Sequence, residues 1–362
     1  LEKKLKDDKI RRLFMSLINV LNYARENKIS DIHITPCIKV RYESRLCETE
    51  DKEFYFSKAE EIIIEYTEIY FRKDGEIIKF DFKEEEKEFY SVEVDELASY
   101  NEDFSFIDKL GRRYRVNGFI ENRNVGTERR KSFVIRVIPQ ELPKLKGNFI
   151  NKLIDEKILN LKNGLVLVTG VTGSGKSTTL ANFIEKFNEN KRYKILTLED
   201  PIEYVYENKK SLIVQREIDS EDFKFALKSS LRQDPDIIVV GEIRDEESLY
   251  AALNLAETGH LVFSTLHTMN TVETINRLIS MVKTDKKDFI RDQLASLLRF
   301  VFSQELIKIK GEINPIFEIL NNTKAVSNLI AMNKLNQIPT LIESGAENYM
   351  ITKEKYMKII LE

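Results

Sequence analysis

Residues 170–177 read Gly-Val-Thr-Gly-Ser-Gly-Lys-Ser, the spacing G-x-x-x-x-G-K-[ST]. Gly170, Gly173 and Gly175 let the backbone turn successive N–H groups toward phosphate oxygens. Lys176 would add a positive charge at the β- and γ-phosphates, and the Ser177 hydroxyl would ligate Mg²⁺. Thr172, Ser174 and Thr178 are expected to complete the nucleotide contacts. The chemistry implied is binding and hydrolysis of ATP, with ATP and Mg²⁺ as the cofactors.

Hydrolysis also needs an ordered metal, an oriented water and charge neutralisation at the γ-phosphate. In an open α/β sheet such groups sit at the carboxyl ends of strands. Two apolar runs end in acids. LTLEDPIEY supplies Glu199, Asp200 and Glu203; DIIVVGEIRD supplies Glu242, Arg244 and Asp245. The second run has Gly241 and Glu242 where a Walker B strand usually carries an aspartate. We expect Glu199 to polarise the attacking water and Glu242 to act on the Mg²⁺ side, directly or through water, although sequence alone leaves the two interchangeable. Asp245 reads as a helix cap. His260 and His267 bracket the run HLVFST. His267, at its carboxyl end, suits a γ-phosphate sensor or a relay to a neighbouring subunit; for His260 a core role and a functional one stand level. Opposite strand ends are too far apart to share a metal ion.

The elements that must position these groups are legible as a pattern. LVLVT (165–169), KILTL (194–198), DIIVV (236–240) and HLVFST (260–265) alternate with helix-period stretches, predicting a parallel sheet wrapped by crossover helices. The helix after the phosphate loop should bury Leu180, Phe183, Ile184 and Phe187. The one after Asp245 should bury Leu249, Ala252, Leu253 and Ala256, with Glu246 and Glu247 at its positive end and Gly259 as its stop. Beyond about 275 the chain reads as helical, with Leu294, Leu297, Leu298, Val301 and Phe302 on one stripe.

Ahead of this half, residues 10–28 read as an amphipathic helix (Leu13, Leu17, Val20, Leu21, Ala24). A strand follows at 31–35, and β-rich runs reach to 138. The acidic run Glu84–Glu88 reads as a solvated loop. Pro139, Pro143 and Gly147 punctuate a linker. The expected organisation is a smaller α+β domain over 1–138, a linker at 139–148 and an α/β P-loop domain with a parallel sheet and a helical C-terminal region over 149–362.

Composition narrows the partners. The 362 residues carry 57 basic and 60 acidic side chains, a formal charge of -3, which disfavours stable nucleic-acid binding. No apolar run approaches the ~20 residues that span a bilayer, and the start is too charged for a secretory signal. A cytoplasmic location is expected. Cys37 and Cys47 form no C-x-x-C pair, which leaves no four-thiolate zinc site.

Taken together, the phosphate loop, LEDPIEY, DPDIIVVGEIRD and TGHLVFSTLHT resemble, in order and spacing, the secretion and pilus motor ATPases. The chain is most similar to the PilT-type retraction ATPases of type IV pili, on the strength of SDIHI, RYRVNGFIENR, IRVIP and the tail from Glu318 to Gly345. The resemblance implies a RecA-like motor domain, a PAS-like N-terminal domain and a homo-hexamer. It implies a place at the inner face of the cell membrane, beside an inner-membrane pilus platform protein, and power for pilus disassembly and twitching motility. It also implies that Arg113 and Arg123, with Arg115 a weaker candidate, bring guanidinium charge to the nucleotide phosphates. The family's AIRNLIRE signature reads Ala325–Met332 here, without its arginines and terminal glutamate. The alternatives are a pilus-assembly or type II/IV secretion ATPase and, from another class, a DNA-translocating motor.

Overall fold

The structure, a computed structural model, describes residues 24–26, 28–49, 52–73, 76–80, 104–107, 113–122, 129–138, 142–218, 223–309 and 312–361. The chain divides into two compact units, Leu1–Gln140 and Glu141–Glu362.

The first unit contains β1 (Asp31–Thr49), β2 (Lys52–Lys73), β3 (Glu76–Phe80), β4 (Phe104–Ile107), β5 (Arg113–Asn122) and β6 (Arg129–Val137). They form one sheet in the order β3-β2-β1-β6-β5-β4, antiparallel throughout. The strand expected at 31–35 is the start of β1. Ile32, Tyr114, Val116, Phe133 and Ile135 are buried, and Asp31 meets its cross-strand neighbour Arg136 in an ion pair at 2.9 Å. Most of the helix expected at 10–28, and the acidic run Glu84–Glu88, lie outside the described residues; residues 24–26 are helical.

The second unit is built on β7 (Gly164–Thr169), β8 (Lys194–Glu199), β9 (Leu212–Glu217), β10 (Ile237–Glu242), β11 (Leu261–Leu266), β12 (Leu298–Ile309) and β13 (Glu312–Asn321). Their order is β13-β12-β7-β11-β10-β8-β9. Every pairing is parallel except β12 with β13. The helices are α1 (Asn148–Glu156), α2 (Lys176–Asn190), α3 (Phe223–Ser230), α4 (Glu246–Glu257), α5 (Thr271–Ser280), α6 (Lys287–Leu297), α7 (Lys324–Ala331), α8 (Ile338–Ser344) and α9 (Lys353–Leu361).

Strand residues alternate between two apolar cores, which explains why the strands read as unbroken hydrophobic runs. Leu165, Leu167, Leu196, Leu198, Ile238 and Val240 face a core filled from α3 to α8. Val166, Val168, Ile195, Ile237, Val239 and Phe263 face another, filled by α1, α2 and α9. All four predicted core residues of α2, and all four of α4, are buried.

The stretch after 297 corrects the helical expectation. Helix α6 ends at Leu297, and Leu298, Val301 and Phe302 belong to β12. Their spacing mimics a helix because β12 is covered on both faces, with Val301 in one core and Phe302 in the other. Pairing with β7 and β13 decides the matter.

Candidate active site

The carboxyl ends of β7, β8, β10 and β11 bring the predicted acids and His267 to the edge of the sheet that carries the phosphate loop. Between β7 and α2, Gly173 and Gly175 sit at φ 79° and 81°. A Cβ at Gly175 would also come within 2.9 Å of Gln304 Nε2, so the tight turn and the close approach both require glycine there. Helix α2 starts with no side-chain cap on its first N–H groups. That leaves its positive end open to an anion, which fits a nucleotide phosphate.

Lys176 is 9% exposed. Its Nζ donates to the carbonyls of Gly170 at 2.9 Å and Val171 at 3.1 Å, so the loop holds its own lysine. Burial lowers the lysine pKa, opposed by the charges of Glu242 and Glu203. Thr172 and Gly173 are exposed, Ser174 is buried, and Ser177 and Thr178 are half-buried on the first turn of α2. Thr178 Oγ1 lies 2.8 Å from Tyr204 Oη, joining that turn to the LEDPIEY loop. The loop itself passes through a cis Asp200–Pro201 bond.

His267 stands between the lysine and an acid. Its Nδ1 is 3.4 Å from Lys176 Nζ and 3.4 Å from Thr172 Oγ1, and its Nε2 is 3.4 Å from Glu242 Oε1. An ammonium only donates, so Nδ1 accepts and Nε2 carries the proton offered to Glu242. The other Glu242 oxygen takes a bond from Arg244 Nε at 2.9 Å, and Arg244 also lies 3.7 Å from Asp200. That hydrogen bond, with the neighbouring carboxylates, raises the arginine pKa. A register shift between Val240 and Glu242 skips Gly241 and pairs Glu242 with Thr265 of β11. The Gly241 carbonyl is held by Thr265 Oγ1 at 2.7 Å. A Cβ on Gly241 would sit 3.1 Å from Leu198 O, so the absent side chain lets β10 close against β8.

Glu199 ends β8 in a different environment. Burial raises its pKa, and hydrogen bonding from Gln215 among others opposes the rise; Gln215 Nε2 is 3.4 Å from Oε1. The two acids are thus differentiated, Glu242 tied to a cation and Glu199 desolvated.

Asp245 caps α4, accepting from Ser248 N at 2.8 Å in a reciprocal capping box. His260 falls on the structural side. It lies just before β11, at the end away from the phosphate loop, where its Nδ1 is 3.0 Å from the Leu255 carbonyl. Its backbone N–H bonds the same carbonyl at 3.2 Å, closing the C-terminus of α4 around Gly259. His260→Ala should therefore lower stability by ~1 kcal/mol in a thermal melt and leave the steady-state rate unchanged. Arg113 opens β5, but its side chain lies outside the described residues, as does Arg123.

Sequence reasoning missed Gln304. This β12 residue, 3% exposed, accepts from Thr179 Oγ1 at 2.6 Å and donates to Ser174 O at 2.6 Å. It pins the loop to the helix that follows. The available signal was a polar Ser-Gln pair inside an apolar run. Gln304→Leu leaves two buried groups unpaired, a cost of ~2–3 kcal/mol. Nucleotide affinity should fall about tenfold or more in a fluorescent-nucleotide titration.

The profile of the type II/IV secretion system protein family matches residues 127–339. The chain belongs to that family. It is 43% identical to the type IV pilus retractation ATPase PilT of Pseudomonas aeruginosa, over 71% of this chain and 73% of the relative. A twitching motility protein of Neisseria gonorrhoeae is 42% identical over 72% and 68% of the two chains. Among solved structures, the pilus retraction motor PilT with bound ADP matches with a TM-score of 0.68 at 32% identity, covering 94% of this chain and 95% of that one. The Legionella pneumophila ATPase DotB, 24% identical with a TM-score of 0.67 and 95% of each chain covered, shares the fold. Membership accounts for the seven-stranded, mostly parallel sheet with the phosphate loop at one strand end. Among the described residues no helix is long and apolar enough to cross a membrane.

Proposed function

We propose that this chain is an ATP-hydrolysing motor that powers retraction of a type IV pilus. The observation that carries the reading is the cluster of Lys176, His267 and Glu242 within 3.4 Å contacts, beside a phosphate loop whose helix is uncapped. Relatives at 43% and 42% identity bear the names of a pilus retractation ATPase and a twitching motility protein.

In this reading the incoming phosphates take over the bonds that Lys176 now makes to Gly170 and Val171. The N–H groups of Gly173 to Thr178 line the same anion. Mg²⁺ would take the Ser177 hydroxyl, phosphate oxygens and water, with Glu242 acting through a water. Among the described residues no three His, Cys, Asp or Glu side chains form a metal cage, and Mg²⁺ commonly binds beside phosphates without one. The ion supplies charge neutralisation. Glu199, desolvated and without a cationic partner in its hydrogen bonding, takes the proton of the attacking water. His267 passes the state of the γ-phosphate site to Glu242. Arg113 and Arg123 add positive charge to the phosphates; replacing either with alanine should lower kcat.

The working form is a homo-hexamer at the cytoplasmic face of the membrane, acting on the pilus platform. Light scattering of the purified chain with and without ATP tests the assembly. Deletion of the gene tests the direction of work. Over-piliated cells that do not twitch are expected, whereas bald or secretion-defective cells would assign the chain to assembly or secretion.

A further inference from the structure

Three adjacent strands present one polar row. Thr169 of β7 is in register with Ser303 of β12, and Ser303 with Glu318 of β13. Residues in register point to the same face, and here all three reach a single segment, the turn after His267 and the start of α5. Glu318 Oε1 accepts from Thr271 N at 2.8 Å and from Thr271 Oγ1 at 2.7 Å. Ser303 Oγ donates to Met269 O at 2.9 Å. Thr169 Oγ1 lies 3.3 Å from Thr274 Oγ1, which is itself 2.7 Å from Thr268 Oγ1. Thr169, Ser303, Thr271 and Thr274 are all 0% exposed.

Within this row Thr169 and Ser303 are fully buried and Glu318 half-buried, and a buried polar side chain is costly unless it is satisfied. Among the described residues, the side-chain bonds of the row converge on residues 269–274. Lys353 of α9 adds a bond to the Met269 carbonyl at 3.0 Å. The next residue along β12 after Ser303 is Gln304, whose side chain points to the opposite face and holds the phosphate loop. Consecutive residues of one strand therefore grip the two parts of the site that must keep their spacing, the loop carrying Lys176 and the turn carrying His267.

We infer that Glu318 is a positioning residue for His267, fixing through Thr271 and the polar row the place of the imidazole relative to Lys176 and Glu242. The carboxylate also suits the first turn of α5, where its charge meets the positive end of the helix. This inference rests on the role proposed for His267.

The experiment measures Mg·ATP hydrolysis by phosphate release with the full chain. The variants are Glu318→Ala, Glu318→Gln, His267→Ala and the Glu318→Ala/His267→Ala double. Glu318→Ala should lower kcat at least about tenfold, since misplacement on the ångström scale has effects of that size, with KM for ATP within about twofold. Glu318→Gln keeps an accepting oxygen and should recover most of the rate. The double variant should be no slower than His267→Ala, because Glu318 acts through the histidine. An unchanged kcat in Glu318→Ala overturns the inference, as does additive loss in the double variant. A fall in kcat matched by a rise in KM and not rescued by glutamine also overturns it, marking a purely structural role. If His267→Ala hydrolyses normally, the role of the histidine fails and the inference with it. If His267→Ala is slow while Glu318→Ala is not, the inference alone fails.

Discussion

Lys176→Ala should abolish measurable ATP hydrolysis and weaken nucleotide binding by about one to two orders of magnitude. The binding loss follows from removing a charge-assisted bond worth ~1.5–3 kcal/mol. The rate loss is larger, on the order of 10²–10³, because charge on the β- and γ-oxygens grows in the transition state. Burial strengthens the effect, since the ammonium sits where water screens it poorly. The same burial holds its pKa down. A depressed lysine costs the folded state stability while it is charged; the cost is full below the depressed value and fades as pH rises from that value to the unfolded one. Alanine removes that cost but leaves the Gly170 and Val171 carbonyls without their donor. These effects oppose each other, so the melting temperature of the nucleotide-free protein should shift little. The stabilisation that ATP adds to the wild type should disappear from the variant. A melt with and without nucleotide checks both. Normal hydrolysis by Lys176→Ala would remove the phosphate loop from the chemistry.

How much of this was readable in advance depended on how local each signal is. The phosphate loop, the Asp245 cap and the buried stripes of α2 and α4 are set by residues within a turn or two of one another, and spacing alone exposes them. The ends of β8, β10 and β11 were readable because parallel strands buried on both faces leave an apolar run that stops at a polar residue. Strands β12 and β13 were not, since covering on both faces erases the period-2 alternation, and chance spacing of Leu294, Leu297, Leu298 and Val301 imitates a helix. Gln304 and Glu318 were invisible for a different reason. Their partners lie 125 and 47 residues away, and only the pairing of β12 with β7 and β13 brings them to the loop and the turn. The separation of Glu199 from Glu242 likewise needed coordinates, because it rests on which acid finds an arginine.

That separation makes Glu199→Gln the sharper test of mechanism. The substitution keeps the shape and the hydrogen bond with Gln215 while removing the proton acceptor. We expect kcat to drop ~10²–10⁴, the range for loss of a general base, with Mg·ATP affinity unchanged. The pH dependence is specific. Burial raises the Glu199 pKa above the ordinary carboxylate range, so the folded state holds this proton more tightly than the unfolded chain. The resulting stabilisation is present below the unfolded pKa and is lost as pH rises through the raised folded value. Above that window the wild type carries a desolvated carboxylate that the glutamine variant lacks. Glu199→Gln should therefore match the wild type in melting temperature at acid pH and exceed it at neutral pH, while being the slower enzyme. The acid limb of the wild-type kcat profile should fall over the same window, because only the ionised carboxyl can take the proton of water. Glu242→Gln, whose carboxylate is paired with Arg244, should show no such gain in stability, and its loss should fall on Mg²⁺-dependent affinity. A Glu199→Gln variant that hydrolyses ATP normally would move the base elsewhere, with Glu242 the next acid to test.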